Sequence, residues 1–583
     1  MCGLAGLMAS NAAPDLAAVE RMGAVLAHRG PDGEGVHVRD DVAMTHRRLA
    51  IIDVAGGAQP LIDANGVALI ANGEIYNYVE LKRDLPDVDY ATASDCEPPL
   101  HYYGKLGAGF ASVLRGMYAI ALHDPVRAQL VLVRDPFGIK PLYYAQGAFG
   151  LAFASEPKAL LAAGFARRVV AAETRNELLQ LQFTTGAETI FPDIRRVLPG
   201  ETLVVSHGRI IDRVRRAALP DAAPADWSED EAMARLDRAL RDSVRVHQRS
   251  DVPYGMFLSG GIDSSVLLAL MAELNERPVV AYTAGFAGQV HDERAHARTV
   301  ARRLGATHIE VEVDADDFWR MLPAIAAAVD DPAADYAIVP TFKLAREAAK
   351  DLKVVLTGEG GDELFAGYGR YRSVLRPWWR GGRVMRPRGI FDGLDVLRVD
   401  TAGWRDGIVE AETAAAVGNR TRLQVAQAVD GIDWLPNDLL IKLDRCLMAH
   451  GLEGRTPFLD PAVAEVAFRL PDRFKIWRGK GKYLLRRWLE ARVPEAEPFA
   501  RKRGFTVPVA EWISAAGHRI GPLVARQPAI AEIARTKEVQ ALFRSSSKRA
   551  GLAAWTLLFY ALWHRCHIDG RTPAGDTFDM LGD

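Results

Sequence analysis

The stretch Ser259-Gly260-Gly261-Ile262-Asp263-Ser264-Ser265 leaves the chain few ways to fold around it. An apolar run, residues 252–258, precedes it, and an apolar segment of helix length, residues 266–274, follows it. The pattern predicts a strand, a tight glycine-rich turn and a helix. Such a turn aims backbone N–H groups and a helix N-terminus at one point, which suits a phosphate or pyrophosphate. The hydroxyls of Ser259, Ser264 and Ser265 can donate to phosphate oxygens. Asp263 would repel a bare phosphate, so its presence implies a bridging cation, Mg2+. No Gly-Lys-Ser/Thr follows, so this is not a Walker loop.

The chain of 583 residues is long enough for two to four domains and a large core. Apolar residues make up 49% and charged residues 25%, as in ordinary globular proteins. A net charge of −2 gives no field for holding nucleic acid or an anionic membrane. No apolar run reaches the roughly 18 residues a membrane span needs, and the start lacks a secretory pattern. Cys2, Cys96, Cys446 and Cys566 are scattered, with no CxxC or Cys/His cluster, so neither a disulfide framework nor a zinc site is expected. A reducing cytoplasm is the expected compartment.

Cys2 is the first unusual residue. Removal of Met1 would give it a free α-amine, which titrates near pH 8 and can take the thiol proton. By itself that proves little. The next 155 residues, however, read as short strands with many turns: 42–45, 50–53, 67–71, 118–123, 129–134, 142–144 and 151–154, with helical patterns at 16–26 and 95–103. Between them stand His28-Arg29-Gly30-Pro31-Asp32-Gly33, Arg48-Leu49-Ala50, Asn72-Gly73-Glu74-Ile75-Tyr76-Asn77, Ser94-Asp95-Cys96-Glu97 and Arg134-Asp135-Pro136-Phe137-Gly138.

This set resembles the class II glutamine amidotransferase domain, an N-terminal nucleophile glutaminase, from Cys2 to about Val205. The resemblance implies a four-layer αββα sandwich. It also implies Cys2 as nucleophile, with the Asn72 side chain and the Gly73 N–H as oxyanion donors. Arg48 would clamp the carboxylate of glutamine, and Glu74 and Asp95 would meet its ammonium. Cys96 reads as an inert core thiol.

Residues 207–228 lose periodicity and are Pro/Ala-rich, which predicts a linker over 206–227. Ser228 then caps a helix, with Glu231 completing a capping box. Beyond the opening loop, strand-like segments 279–286, 307–313 and 354–357 alternate with helical ones at 292–304 and 341–349. Alternation of this kind predicts a doubly wound parallel α/β sheet with its site at the strand C-termini. The last of these strands runs into Thr357-Gly358-Glu359-Gly360-Gly361-Asp362-Glu363. Asp362 with Asp263 would supply two carboxylates for Mg2+, and Glu359 could act as base or orienter near the acceptor.

Farther on come Lys442-Leu443-Asp444-Arg445, Glu453-Gly454-Arg455-Thr456-Pro457-Phe458-Leu459-Asp460, Lys482-Tyr483-Leu484 and Arg501-Lys502-Arg503-Gly504-Phe505. With the two glycine-rich loops these resemble the synthetase domain of glutamine-hydrolysing asparagine synthetases, an ATP-pyrophosphatase fold with added helices. The expected domain spans residues 228–570, with a loose tail at 571–583. The resemblance implies ATP and Mg2+ as cofactors, with glutamine and aspartate as substrates and a homodimer as the assembly. It also implies ATP contacts at Leu258, Ser259, Gly260, Gly261, Asp263, Ser264, Ala284, Thr357 and Gly358. Lys502 would neutralise charge at the phosphoryl centre. One stretch departs from the family pattern: the acceptor-side run 331–341 has Tyr336 and Ala337 where others carry an arginine and hydroxyls or a Ser-Ser pair. Another carboxylate acceptor therefore stays open. A basic aromatic run, 376–388, reads as a solvated or interface loop rather than a nucleic-acid site.

Overall fold

The computed structural model describes residues 2–10, 12–286, 293–380, 382, 384–500 and 507–582. Two six-stranded antiparallel sheets form the N-terminal half. The first runs β10 (Arg195–Arg196), β8 (Tyr143–Gly147), β9 (Gly150–Ala154), β1 (Gly3–Ala9), β3 (Val42–Arg48), β2 (Gly33–Arg39). The second runs β12 (Arg209–Arg215), β11 (Glu201–Ser206), β7 (Gln129–Arg134), β6 (Gly116–Asp124), β5 (Ala68–Ile75), β4 (Leu61–Ile62).

Strand alternation explains the layering. Leu4 and Met8 of β1, Ala68 and Ile70 of β5, and Ala119 and Ala121 of β6 form one apolar layer between the sheets. The opposite residues of β5 and β6, among them Leu69 and Ile120, pack under the helix Pro98–Leu106. Ala5 and Leu7 of β1 pack instead with the helices Leu16–Val25 and Pro157–Ala163. The half is thus the expected αββα sandwich.

The C-terminal half is built on a five-stranded parallel sheet ordered β15 (Thr307–Val313), β14 (Val280–Phe286), β13 (Tyr254–Phe257), β16 (Val354–Leu356), β17 (Glu453–Arg455). Val354 and Leu356 face the helices Glu229–His247 and Ile262–Leu274, while Val355 faces the opposite layer with the helix Ile338–Ala348. Both faces being covered accounts for the helix Ile262–Leu274, in which every residue from Ser264 to Met271 is buried. Beyond this layer lies the helix Lys548–His567, with Trp555 and Trp563 fully buried.

Four expectations need correction. Residues 50–53 are not a strand; they form the loop whose carbonyls Arg48 holds. Part of the expected linker is β12, paired along β11, because Ile210 and its neighbours extend the second sheet by one edge strand. The expected loose tail contains the helix Thr577–Gly582, with Met580 and Leu581 buried and Phe578 packed on Trp319. Ser228 does cap its helix by accepting from the Glu231 N–H, but the Glu231 carboxylate pairs with Arg235 rather than closing the box.

Candidate functional site

The residues expected to process glutamine gather around Cys2, on β3, β5 and the loop before the helix Pro98–Leu106. Cys2 is 7% exposed and its backbone N donates to Asn72 Oδ1 at 2.9 Å. That bond fixes the Asn72 amide, and its Nδ2 is buried without a hydrogen-bond partner among the described residues. An unused buried donor beside a thiol is what an oxyanion would take up. Gly73 follows with φ +153°, where a Cβ would lie 2.0 Å from the Met117 carbonyl oxygen. Only glycine lets the backbone turn there. Burial pushes the Cys2 thiol up, partly offset by a backbone hydrogen bond from Leu49 and the charge of Arg48. Arg48 Nη1 donates to the Val54 carbonyl at 3.0 Å, and its Nη2 to the carbonyls of Ile52 and Asp53.

Asp95 is buried and accepts the Ile75 N–H at 2.8 Å. Glu74 is buried too, and burial holds its carboxyl well above the ordinary range despite Arg455. The partner of Glu74 comes from the other half of the chain: Arg455 Nη2 lies 3.2 Å from Glu74 Oε1. Burial and the neighbouring Asp95 carboxylate hold the Cys96 thiol protonated, in line with an inert role.

The second site lies at the C-terminal edge of the parallel sheet. A cavity of about 380 Å³ is lined there by Ser259, Asp263, Tyr336, Asp362, Tyr368 and Lys482, among others. The opening loop is tied in a knot of hydroxyls: Ser264 Oγ accepts from the Ser259 N–H and donates to the Ser259 carbonyl at 2.9 Å, and the Gly261 N–H donates to Ser259 Oγ at 3.2 Å. The Gly260 N–H donates to a Glu293 carboxylate oxygen at 3.2 Å, so the loop already holds one anionic group. Leu258 follows the end of β13, Thr357 and Gly358 follow the end of β16, and Ala284 lies within β14, between β13 and β15.

Asp263 and Asp362 are brought together. Both pair with Lys482 Nζ, Asp362 Oδ1 at 2.7 Å and Asp263 through a short hydrogen bond. Burial opposes the Lys482 charge, but the two carboxylates outweigh it and hold the ammonium above its ordinary range. Glycines keep room around them: a Cβ on Gly361 would lie 2.5 Å from Asp263 Oδ1, and one on Gly367 would lie 1.7 Å from Asp362 Oδ1. Among the described residues no three His, Cys, Asp or Glu side chains form a ready cage for a metal. Two hard carboxylates beside a glycine-rich loop nevertheless fit Mg2+, an ion that keeps waters and takes further ligands from phosphates.

Glu359 lies 3.8 Å from Lys442 Nζ, which is also 3.0 Å from Asp335 Oδ2. Burial raises the Glu359 carboxyl, and Lys442 lowers it in part. The run 331–341 is pinned at its start, where Arg196 grips Asp331 through two 2.8 Å bonds, and it presents Tyr336 to the cavity. Lys502 lies outside the described residues. The sequence assigned no role to Lys482 or Arg455; nothing local marks them apart from other charged residues.

Buried charges join the two halves. Arg29, held by Glu156 of its own half, reaches Asp444 of the other at 2.7 Å, and Arg445, held by Asp330 of its own half, lies 3.9 Å from Glu156.

The description of the asparagine synthase family matches residues 235–565, and that of a glutamine amidotransferase domain matches residues 1–215. A Mycobacterium bovis protein provisionally named asparagine synthetase (glutamine-hydrolysing) is 36% identical, with 98% of each chain covered. Asparagine synthetase (glutamine-hydrolysing) 1 of Bacillus subtilis is 32% identical over 98% of each chain. Asparagine synthetase B (glutamine-hydrolysing) of Escherichia coli is 28% identical over 84% of this chain and 79% of its own.

Proposed function

The chain belongs to the asparagine synthase family, and from that premise we propose that it makes asparagine from aspartate, glutamine and ATP, releasing AMP, pyrophosphate and glutamate. The observation that carries the reading is the meeting of Asp263 and Asp362 on Lys482 beside Glu359, in the same chain as a buried Cys2 facing the Asn72 amide.

Each residue has a role that its surroundings support. The Cys2 thiolate attacks the side-chain amide of glutamine, its proton going to the cysteine's own α-amine once Met1 is removed. Asn72 Nδ2 and the Gly73 N–H take the oxyanion, ammonia leaves as the thioester forms, and hydrolysis of the thioester releases glutamate. Arg48 holds the α-carboxylate, and Glu74 and Asp95 hold the α-ammonium. In the second site the serine-glycine loop of residues 259–264, with Leu258, Ala284, Thr357 and Gly358, binds ATP. Asp263 and Asp362 would hold Mg2+, which supplies charge neutralisation at the phosphates when bound. Lys482 reinforces that neutralisation, and Lys502 is assigned the same work by resemblance. The acceptor carboxylate attacks the α-phosphorus and pyrophosphate leaves. Ammonia then attacks the acyl carbon and AMP leaves, with Glu359 as base or orienter. A free carboxylate is a poor electrophile, so this activation is needed. Ammonia moves between the sites inside the protein, since in water near neutral pH it would mostly become ammonium.

The reading divides the chain into a glutaminase domain, a synthetase domain and the linking segment between them. It places the protein in the cytoplasm as a homodimer. No helix among the described residues is long and apolar enough to cross a membrane. The test is product analysis by mass spectrometry with ATP, Mg2+, glutamine and a panel of carboxylic acids. Asparagine forming in step with AMP and pyrophosphate supports the reading. Glutamate and ammonia without asparagine would move the search to another acceptor.

A further inference from the structure

Asp430, Trp434, Asp438 and Lys442 recur at every fourth residue along one continuous helical run, the π-helical segment Asp430–Leu439 and the helix Leu440–Met448. π-Helical turns are rare and gather at functional sites. The Lys442 end joins the site above through Asp335 and Glu359. The Asp430 end is cationic. Arg370 Nε donates to Asp430 Oδ2 at 2.8 Å, and its guanidinium lies 3.9 Å from the ring centres of both Tyr368 and Trp434. Arg386 stands 4.8 Å over the Trp434 ring with Nη2 3.9 Å from Asp430 Oδ1.

Polar atoms along this strip are buried without a hydrogen bond among the described residues: Arg370 Nη2, Arg386 Nη2, Asp430 Oδ1 and Asp438 Oδ1. Asp438 is 4% exposed, and Trp434 Nε1 donates to its Oδ2 at 2.7 Å, which fixes the carboxylate and leaves Oδ1 as the open acceptor. Buried polar groups are rarely left unpaired, so several on one strip call for a ligand. The strip is also polarised. Two guanidinium groups face one carboxylate at the Asp430 end, whereas Asp438, Asp335 and Glu359 surround the single Lys442 ammonium at the other. The run 331–341 contains no Arg or Lys, so a carboxylate of the acceptor must find its cation elsewhere.

We propose that this strip is the subsite for the α-amino-acid end of the acceptor: Asp438 accepts from the α-ammonium, and Arg386, backed by Arg370, donates to the α-carboxylate. The side-chain carboxylate is then left at Glu359 and the Asp263–Asp362 pair, where it is activated. The assignment rests on the asparagine-forming reading above and says which residues select an amino acid over a simple acid. An ammonium beside Asp438 also offsets the repulsion from Asp335 that, with burial, pushes the carboxyl up to about 7.

The experiment uses the full chain with ammonium as nitrogen donor and two fragments of aspartate as inhibitors. Succinate keeps both carboxylates and lacks the ammonium. β-Alanine keeps the ammonium and the reacting carboxylate and lacks the α-carboxylate. Asp438→Asn should raise the aspartate KM about 10- to 100-fold and weaken β-alanine by a similar factor, leaving succinate unchanged. Arg386→Gln should do the reverse, weakening aspartate and succinate but not β-alanine. The KM for ATP and the glutaminase rate report intact folding, and Arg386→Lys should restore part of the loss where Arg386→Gln folds poorly. Unchanged aspartate KM in both variants, or equal weakening of both fragments in each, would overturn the subsite. Failure of the wild-type protein to make asparagine would instead overturn the functional reading, and the subsite with it.

Discussion

Arg455 and Glu74 form an ion pair across the two halves of the molecule, with 3.2 Å between Nη2 and Oε1. Arg455 also donates to Glu453 at 2.6 Å and to the carbonyls of His247 and Arg249. Its own carbonyl accepts the Thr357 N–H at 2.8 Å. One residue thus touches Glu74 of the N-terminal half with its side chain and the start of the Thr357–Gly361 loop with its backbone. Arg455→Lys keeps the charge but loses the fork. Such a variant should raise the KM for glutamine and lower glutamine-driven synthesis more than ammonium-driven synthesis. Equal loss with both nitrogen donors would show that Arg455 only supports the fold.

Cys2→Ala should abolish glutamine-driven synthesis and leave ammonium-driven synthesis near the wild-type rate, because the second site keeps all its residues. Assays with each donor in parallel check this. Loss of both would show that the halves do not work separately.

Asn72→Ala removes the unused donor beside Cys2. The expected loss is about 10²- to 10³-fold in glutaminase kcat with little change in glutamine KM, since the oxyanion exists only after attack. A change confined to KM would argue for ground-state binding instead.

Lys482→Met leaves Asp263 and Asp362 facing each other without the ammonium. Asparagine formation should fall at least about tenfold, an ammonium–carboxylate contact of this kind being worth some 1.5–3 kcal/mol. Glutaminase activity should persist. Calorimetry should find that Mg2+ raises the melting temperature of the variant more than that of the wild type, and chelation should stop synthesis in the wild type without stopping glutamine hydrolysis.

Asp438 gives a pH prediction. Burial, then Asp335, raises its carboxyl to about 7 in the folded state. Between the ordinary carboxyl value near 4 and 7 the folded state therefore holds a proton that the unfolded chain has lost. Stability must fall as pH rises through that window. Asp438→Asn removes the effect, so the variant should melt higher than the wild type at pH 8 and no higher at pH 4. A gain of the same size at both pH values would contradict this origin.

Local signals accounted for much of the fold. The continuous apolar runs that became β6 and β7, the strand–turn–helix around Ser259 and the strand–helix alternation from Val280 to Leu356 all depend on short-range preferences. Residues 50–53 misled because so short an apolar run, Ala50 to Ile52, cannot be told from a buried loop without its partner. β12 was hidden because its residues are mostly exposed and charged, and an edge strand needs only backbone pairing. The tail helix was too short to carry a periodic signal.

By itself the sequence determined which chemistry the chain carries: a cysteine at position 2 with amidotransferase motifs, and two glycine-rich loops bearing Asp263 and Asp362. Those are short motifs in which neighbours along the chain set the backbone. Only the tertiary structure decided that Lys482, 219 residues from Asp263, sits between the two aspartates, and that Arg455 reaches Glu74. Nothing in the local sequence encodes such pairings. They arise because the parallel sheet gathers its strand ends and because the buried charges between the two halves must find partners of opposite sign.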